Sequence, residues 1–152
     1  MSPRASDSEG LLAAHSAIRA FWEQEGARYD HKDAHGIFSE DEHRRWTTAL
    51  GAIPPSSRAR HFIWTLLEPE KAFAEWRRVL APGGTLIADC SLNTRVALHH
   101  YSDDVAAALP FSAIDDPAPV ADALRAVGFS AVDVEIVSGD EQRRRAVLRA
   151  KA

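Results

Sequence analysis

Four residues in one short span, His31, Asp33, His35 and His43, have side chains that bind divalent metals, and His31 and His35 would share a face if the chain were helical there. Metal binding also needs ligands that converge and a surrounding layer of hydrogen bonds that aims them. The span ARYDHKDAHGIF has no sustained apolar period and reads as loop, so no metal is expected from it. Cys90 closes an apolar run, a place where a nucleophile could be displayed, but no base is positioned for it and a small buried residue is the plainer reading. His99-His100 precede a short helical segment and carry no pattern. Neither a Gly-x-Ser-x-Gly elbow nor a phosphate loop occurs, and no catalytic residue is assigned. Trp22, Trp46, Trp64 and Trp76 all fall on apolar faces, where packing is the default role. The sharper alternative is an aromatic-walled substrate pocket for a flat organic ligand, drawn from Trp22, His35, Trp46 and Trp64.

The elements that must position these groups are legible from spacing. Leu11, Leu12, His15, Ile18, Phe21 and Trp22 recur at threes and fours behind Asp7 and Ser8, which can cap, and Gly26 closes this first helix. Ser39-Glu40-Asp41-Glu42 is a capping box for a second helix that carries Trp46 and Leu50 and stops at Gly51; Pro54-Pro55 forbids its continuation. Glu68-Pro69-Glu70 opens a third helix with Phe73, Trp76, Val79 and Leu80 inward, ended by Pro82-Gly83-Gly84. Thr85 to Cys90 then reads as a buried strand, which makes the pair half of a crossover unit. A short helix covers Asp104 to Leu109, and another, opened by Asp116-Pro117, carries Val120, Leu124 and Val127 to Gly128. Val132, Val134 and Ile136 alternate, as do Arg144 to Ala150, and Ser138-Gly139-Asp140-Glu141 joins them into a hairpin.

Composition bounds the rest. The 152 residues, 45% hydrophobic and 26% charged, suit one soluble domain spanning the chain, with residues 1–10 read as a flexible leader. A net charge of -4 argues against a partner bound through its phosphate backbone, and the run Arg143 to Arg145 reads as a solvated strand end. No nucleic acid and no membrane is expected as a partner, and the single cysteine with no apolar leader fits a cytoplasmic protein.

Several segments taken in order carry a family resemblance. FAEWRRVLAPGGTLIADC, from Phe73 to Cys90, resembles the helix, turn and fifth strand of class I S-adenosylmethionine-dependent methyltransferases. ARHFIWTLLEPEKA, from Ala59 to Ala72, resembles the stretch after strand four in their ubiquinone-biosynthesis-like subgroup. IRAFWEQEGARYD and LRAVGFSAVDVEIV resemble the N-terminal helix and the run into strand six. The resemblance implies an α/β, truncated Rossmann-like methyltransferase fold: a small mixed sheet of strands equivalent to five, seven and six, packed with the N-terminal and intervening helices. It implies S-adenosylmethionine as the family's cofactor, with Tyr29, Arg60 and His61 at positions that approach it.

One part of that family pattern is missing. The cofactor loop there has glycines separated by single residues, because only glycine lets the backbone approach the ligand and turn so tightly. The glycines here are Gly10, Gly26, Gly36, Gly51, Gly83, Gly84, Gly128 and Gly139, and no two are so spaced. Three crossover units of about 30 residues each cannot fit between Pro55 and Arg60, so strands one to four are expected to be absent. In that family strand five lies between strand four and an antiparallel strand seven. Its equivalent, Thr85 to Asp89, would therefore become an open edge, inviting a homodimer or pairing with a complete methyltransferase unless segment Pro54 to His61 or the first helix covers it. Three functions follow: a methyltransferase-like protein inactive alone, a helper subunit of a complete methyltransferase, or a small-molecule binder or cofactor-independent enzyme with a tryptophan-lined pocket.

Overall fold

The computed structural model describes residues 5–25, 40–50, 58–59, 63–92, 101–137 and 144–152, with side-chain surroundings for all of these except residues 5–8, 42, 46, 49, 50, 58 and 59. In chain order the elements are α1 (Ala5–Glu25), α2 (Glu40–Leu50), β1 (Arg58–Ala59), a 3₁₀ turn (Ile63–Thr65), α3 (Pro69–Val79), β2 (Thr85–Ser91), α4 (Asp103–Ala107), α5 (Ala118–Ala126), β3 (Ser130–Ile136) and β4 (Arg145–Lys151). The chain is a mixed α/β protein.

The crossover half forms for local reasons. Pro69 sits in the first turn of α3, where its missing N–H leaves no bond unmade, and Arg77 and Arg78 lie in the last turn, favoured by the negative end of the helix dipole. The chain then reverses over four residues: the Gly84 N–H donates to the Ala81 carbonyl at 2.7 Å, with Pro82 second and Gly83 third at φ 73°. Such a turn takes proline and glycine in those places for their backbone angles. Gly84 is required for a different reason, since a Cβ there would stand 2.7 Å from the Ala81 carbonyl oxygen.

β2 leaves this turn and pairs antiparallel with β4 along its whole length, from Thr85 opposite Lys151 to Ser91 opposite Arg145. β3 pairs antiparallel with the other side of β4, and β1 lies parallel to β2, Arg58 opposite Ile87 and Ala59 opposite Ala88. The order is β1-β2-β4-β3. The β2 edge that the sequence leaves open thus carries β1, which comes from the segment expected to cover it if the chain does not pair with another.

Side chains alternate between two faces of this sheet. Leu86, Ala88, Cys90, Leu92, Ala146, Leu148 and Ala150 belong to the main core, together with Phe73 of α3 and Val120 and Leu124 of α5. α5 enters through Asp116, whose carboxylate accepts the Ala118 N–H at 2.7 Å. It leaves through Gly128 at φ 94°, with the Phe129 N–H on the Leu124 carbonyl and the Gly128 N–H on that of Arg125, the paired bonds of a Schellman cap. A second cluster joins Leu11, Ala14, Ile18 and Phe21 of α1 to Leu67, Trp64, Tyr101, Val105 and Leu109.

Several expectations are corrected by this packing. α1 begins at Ala5, so Asp7 and Ser8 lie inside it and part of the expected leader is helical. Its inward line is Leu11, Ala14, Ile18 and Phe21; Leu12 is 67% exposed and His15 is also exposed. A helix of this kind supplies more apolar residues than its neighbours can cover. For the same reason Val79 at the end of α3 is exposed. α4 stops at Ala107, short of Leu109. The capping Ser39, the stop at Gly51, Pro54-Pro55 and the hairpin residues Ser138 to Glu141 lie outside the described residues.

Truncating the core side chain shared by helix and sheet has a predictable effect. Phe73→Ala should lower unfolding free energy by about 3–5 kcal/mol, whereas Leu12→Ala should change it by no more than about 0.5 kcal/mol. Urea denaturation followed by circular dichroism measures both, and equal effects would contradict the burial described above.

Candidate functional site

In open α/β sheets ligands bind beyond the carboxyl ends of the parallel strands. Here those ends belong to β1 and β2; next in chain order among the described residues come the 3₁₀ turn Ile63–Thr65 after β1 and the stretch beginning at Tyr101 after β2. α1 packs against Trp64 and Tyr101. The result is an aromatic cluster: the Phe21 ring is 5.3 Å from Tyr101 and 5.2 Å from Trp22, Trp64 is 5.8 Å from Tyr101, and Trp22 is 6.3 Å from Trp64. Edge and tilted contacts at these separations are the favoured geometry for π systems. Tyr101 is buried, while Phe21, Trp22 and Trp64 are half-buried and keep part of their surface in solvent.

Two of the expected pocket residues, Trp22 and Trp64, therefore come together. Trp46 lies in α2, but its side chain, like His35, is outside the described residues. Trp76 has a packing role, 5.3 Å from Phe73, which stacks in turn on Phe111 at 6.3 Å in the main core. Tyr29, Arg60, His61, His31, Asp33 and the His99-His100 pair also lie outside the described residues. His43 is exposed on α2, and among the described residues no three His, Cys, Asp or Glu side chains gather where a metal could be held. Among them too, no helix is long and apolar enough to cross a membrane.

Two groups that the sequence did not single out stand at the carboxyl end of β2. Asp89 is 3% exposed and Arg145 is 7% exposed. Asp89 lies opposite Val147 and Arg145 opposite Ser91, so the two charges are diagonal neighbours on one face of the sheet, the face away from Cys90. Burying either ion alone costs several kcal/mol, so opposite charges that share a face offset part of each other's desolvation. Arg145 also overturns the reading of Arg143 to Arg145 as a solvated strand end: Arg144 is exposed, Arg145 is not, and Arg143 is outside the described residues. The available signal was alternation, because a residue two before buried Val147 shares its face.

Cys90 faces the opposite way, into the core. Burial pushes its thiol up to about 12, the negative charge of neighbouring Asp89 adds to this, and a hydrogen bond with the Ala146 backbone opposes it. A thiol so raised stays protonated and is a poor nucleophile. In the unfolded chain it ionises at its ordinary, lower value, so its contribution to stability is complete below that value and is lost as pH rises towards the folded one. Iodoacetamide at about pH 8 should accordingly leave Cys90 unmodified in the native protein and alkylate it in guanidinium. Mass spectrometry reads the difference, and rapid labelling of the folded chain would contradict the burial.

Comparison with protein-family models, with curated proteins and with solved structures gives no match.

Proposed function

We propose that this chain is a class I methyltransferase-like protein that does not bind S-adenosylmethionine by itself and transfers no methyl group alone. The observation that carries the reading is the arrangement of the sheet. β2 lies between a parallel β1 and an antiparallel β4, with β3 beyond β4. That is the sequence of neighbours and directions expected for strands four, five, seven and six of the family. On this reading β1 is a two-residue remainder of strand four, a strand expected to be absent altogether.

The residues present do not fit the cofactor. Of the described glycines, Gly10 lies within α1, Gly83 and Gly84 precede the amino end of β2, and Gly128 caps α5 ahead of β3. None follows the carboxyl end of a strand, where a backbone cradle for the cofactor would have to be. A second copy of the chain supplies no cradle either, because it has the same glycines. A helper role through β2 would require β1 to give up its place beside Ile87 and Ala88. A cytoplasmic location accords with this reading, since one buried, free cysteine needs no oxidising compartment.

Isothermal titration with S-adenosylmethionine tests the proposal. No saturable heat is expected at millimolar ligand, about -4 kcal/mol of binding free energy, and a stoichiometric isotherm would overturn it.

The aromatic cluster favours a second reading, a binder of flat organic molecules, because Phe21, Trp22 and Trp64 keep exposed surface around a buried tyrosine. A naphthol titration should then quench tryptophan fluorescence saturably in the native chain and much less in Trp64→Ala. Equal quenching of the two proteins would leave these rings a packing role only.

A further inference from the structure

Among the described residues, the longer of the two sheet edges is β3. Among the described residues β3 has β4 on one side and no strand on the other. The Val137 N–H donates to the Arg145 carbonyl at 2.9 Å. Backbone direction alternates along an antiparallel pair, so Glu135 and Asp133 also turn their N–H and C=O towards β4, while Val134 and Ile136 turn theirs outward. The Leu92 N–H on the Arg144 carbonyl agrees, since it assigns the even-numbered residues of β4 to β2 and the odd ones to β3. Val134 and Ile136 are each 40% exposed, and Ser130, Ala131 and Asp133 are exposed as well.

The amino-terminal end of this edge is defined. A register shift lies between Ser130 and Asp133, with Ala131 at φ 45°, as an extra residue in a bulge adopts. Beyond it the Arg125 guanidinium donates to the outward Val132 carbonyl at 3.3 Å. With respect to the described residues, what remains available is the backbone of Val134 and Ile136.

Side chains determine what can lie there. Asp133 and Glu135 project from one face of β3, while Val134 and Ile136 project from the other. In the two registers that keep the described part of β3 paired most fully, a second copy of the chain is a poor occupant. Antiparallel self-pairing about Glu135 sets Glu135 against Glu135 of the second copy, and self-pairing about Val134 sets Asp133 against Glu135 of the second copy. Like charges directly opposite are destabilising. The inner neighbour illustrates the favourable chemistry: β4 alternates Arg145, Val147, Arg149 and Lys151 with Ala146, Leu148 and Ala150, and Arg149 donates to Glu135 at 2.8 Å.

We propose that the outer edge of β3 accepts an extended segment of another protein in which basic residues alternate with aliphatic ones, its backbone bonded to Val134 and Ile136 and its basic side chains beside Asp133 and Glu135. Main-chain bonds would supply affinity and the alternating side chains specificity.

The test is an NMR titration of the isotope-labelled full chain with an acetylated, amidated hexapeptide of alternating valine and arginine. Saturable shifts largest at the Val134 and Ile136 amides are expected, with the matched valine and glutamate peptide binding at least about tenfold more weakly because like charges meet. Val134→Pro removes an outward N–H, which an edge strand tolerates, and should abolish binding while leaving the circular dichroism spectrum unchanged. Should that variant unfold, Asp133→Lys decides, and it should weaken the arginine peptide and strengthen the glutamate peptide. Absence of shifts at millimolar peptide, equal binding of the two peptides, or shifts centred elsewhere would overturn the proposal. Sedimentation of the free chain as a dimer through this edge would overturn it too, in favour of a second copy. Every readout is independent of S-adenosylmethionine, so failure here and failure of the cofactor reading are separable.

Discussion

The rest of the fold depends on the pairing of β2 with β4. It is a seven-residue antiparallel ladder in unbroken register, and all of β2 between its terminal residues is buried on both faces. Backbone groups in such a place have no water to bond, so those of β2 that face β4 must find their partners across the ladder. Once they do, the positions of the other elements follow. The core-facing residues of both strands make a floor for α3 and α5, β4 offers its outer side to β3, and β2 offers its own to β1. A single-residue slip would turn Leu86, Ala88 and Cys90 to the other face and bring Asp89 into the core, so the register is strongly specified.

The two faces of that ladder differ in character, and the difference organises the candidate site. One is wholly apolar where it meets the helices. The other contains buried Asp89 and Arg145 beside buried Ile87 and Val147, and grades outward into the exposed or half-buried Arg149, Glu135 and Lys151. The aromatic cluster joins α1 to Trp64 and Tyr101, which come after β1 and β2 respectively in the chain. The buried polar patch lies at the sheet end at which α/β proteins receive ligands.

How much of this was readable depended on where the signal resides. α3, β2 and α5 are specified by nearby residues: proline in a first turn, an acid before a proline, glycines at a required angle. Such marks act locally and need no knowledge of neighbours. The hairpin was legible from alternation, although β3 buries little of its valine and isoleucine because it lies at the edge. β1 was not legible. Its two residues are an arginine and an alanine within a polar stretch, and their strand character comes from the Ile87 and Ala88 ladder beside them. Arg145 was misjudged because a run of three arginines looks solvated, whereas burial in a strand is assigned residue by residue. Leu12 and Val79 were misjudged in the opposite sense: period selects a face, and only tertiary packing determines how much of it is covered. The site was half legible, since Trp22 and Trp64 were singled out and Asp89 was not.

The separation of β2 from β4 in the chain has a consequence for synthesis. A ribosome delivers β2, buried on both faces in the finished fold, long before it delivers the strand that completes it, and with long-range pairing of this kind loop closure precedes any gain from contact. During that interval the nascent chain presents an unfinished hydrophobic strand edge, the kind of surface that aggregates at cellular concentrations and that chaperones recognise. The parallel β1, adjacent to β2 through α3 and already synthesised, is in place to shield one side of it while the other waits. This protein should therefore be more sensitive to the rate of its own translation, and to the supply of holding chaperones, than its small size would suggest.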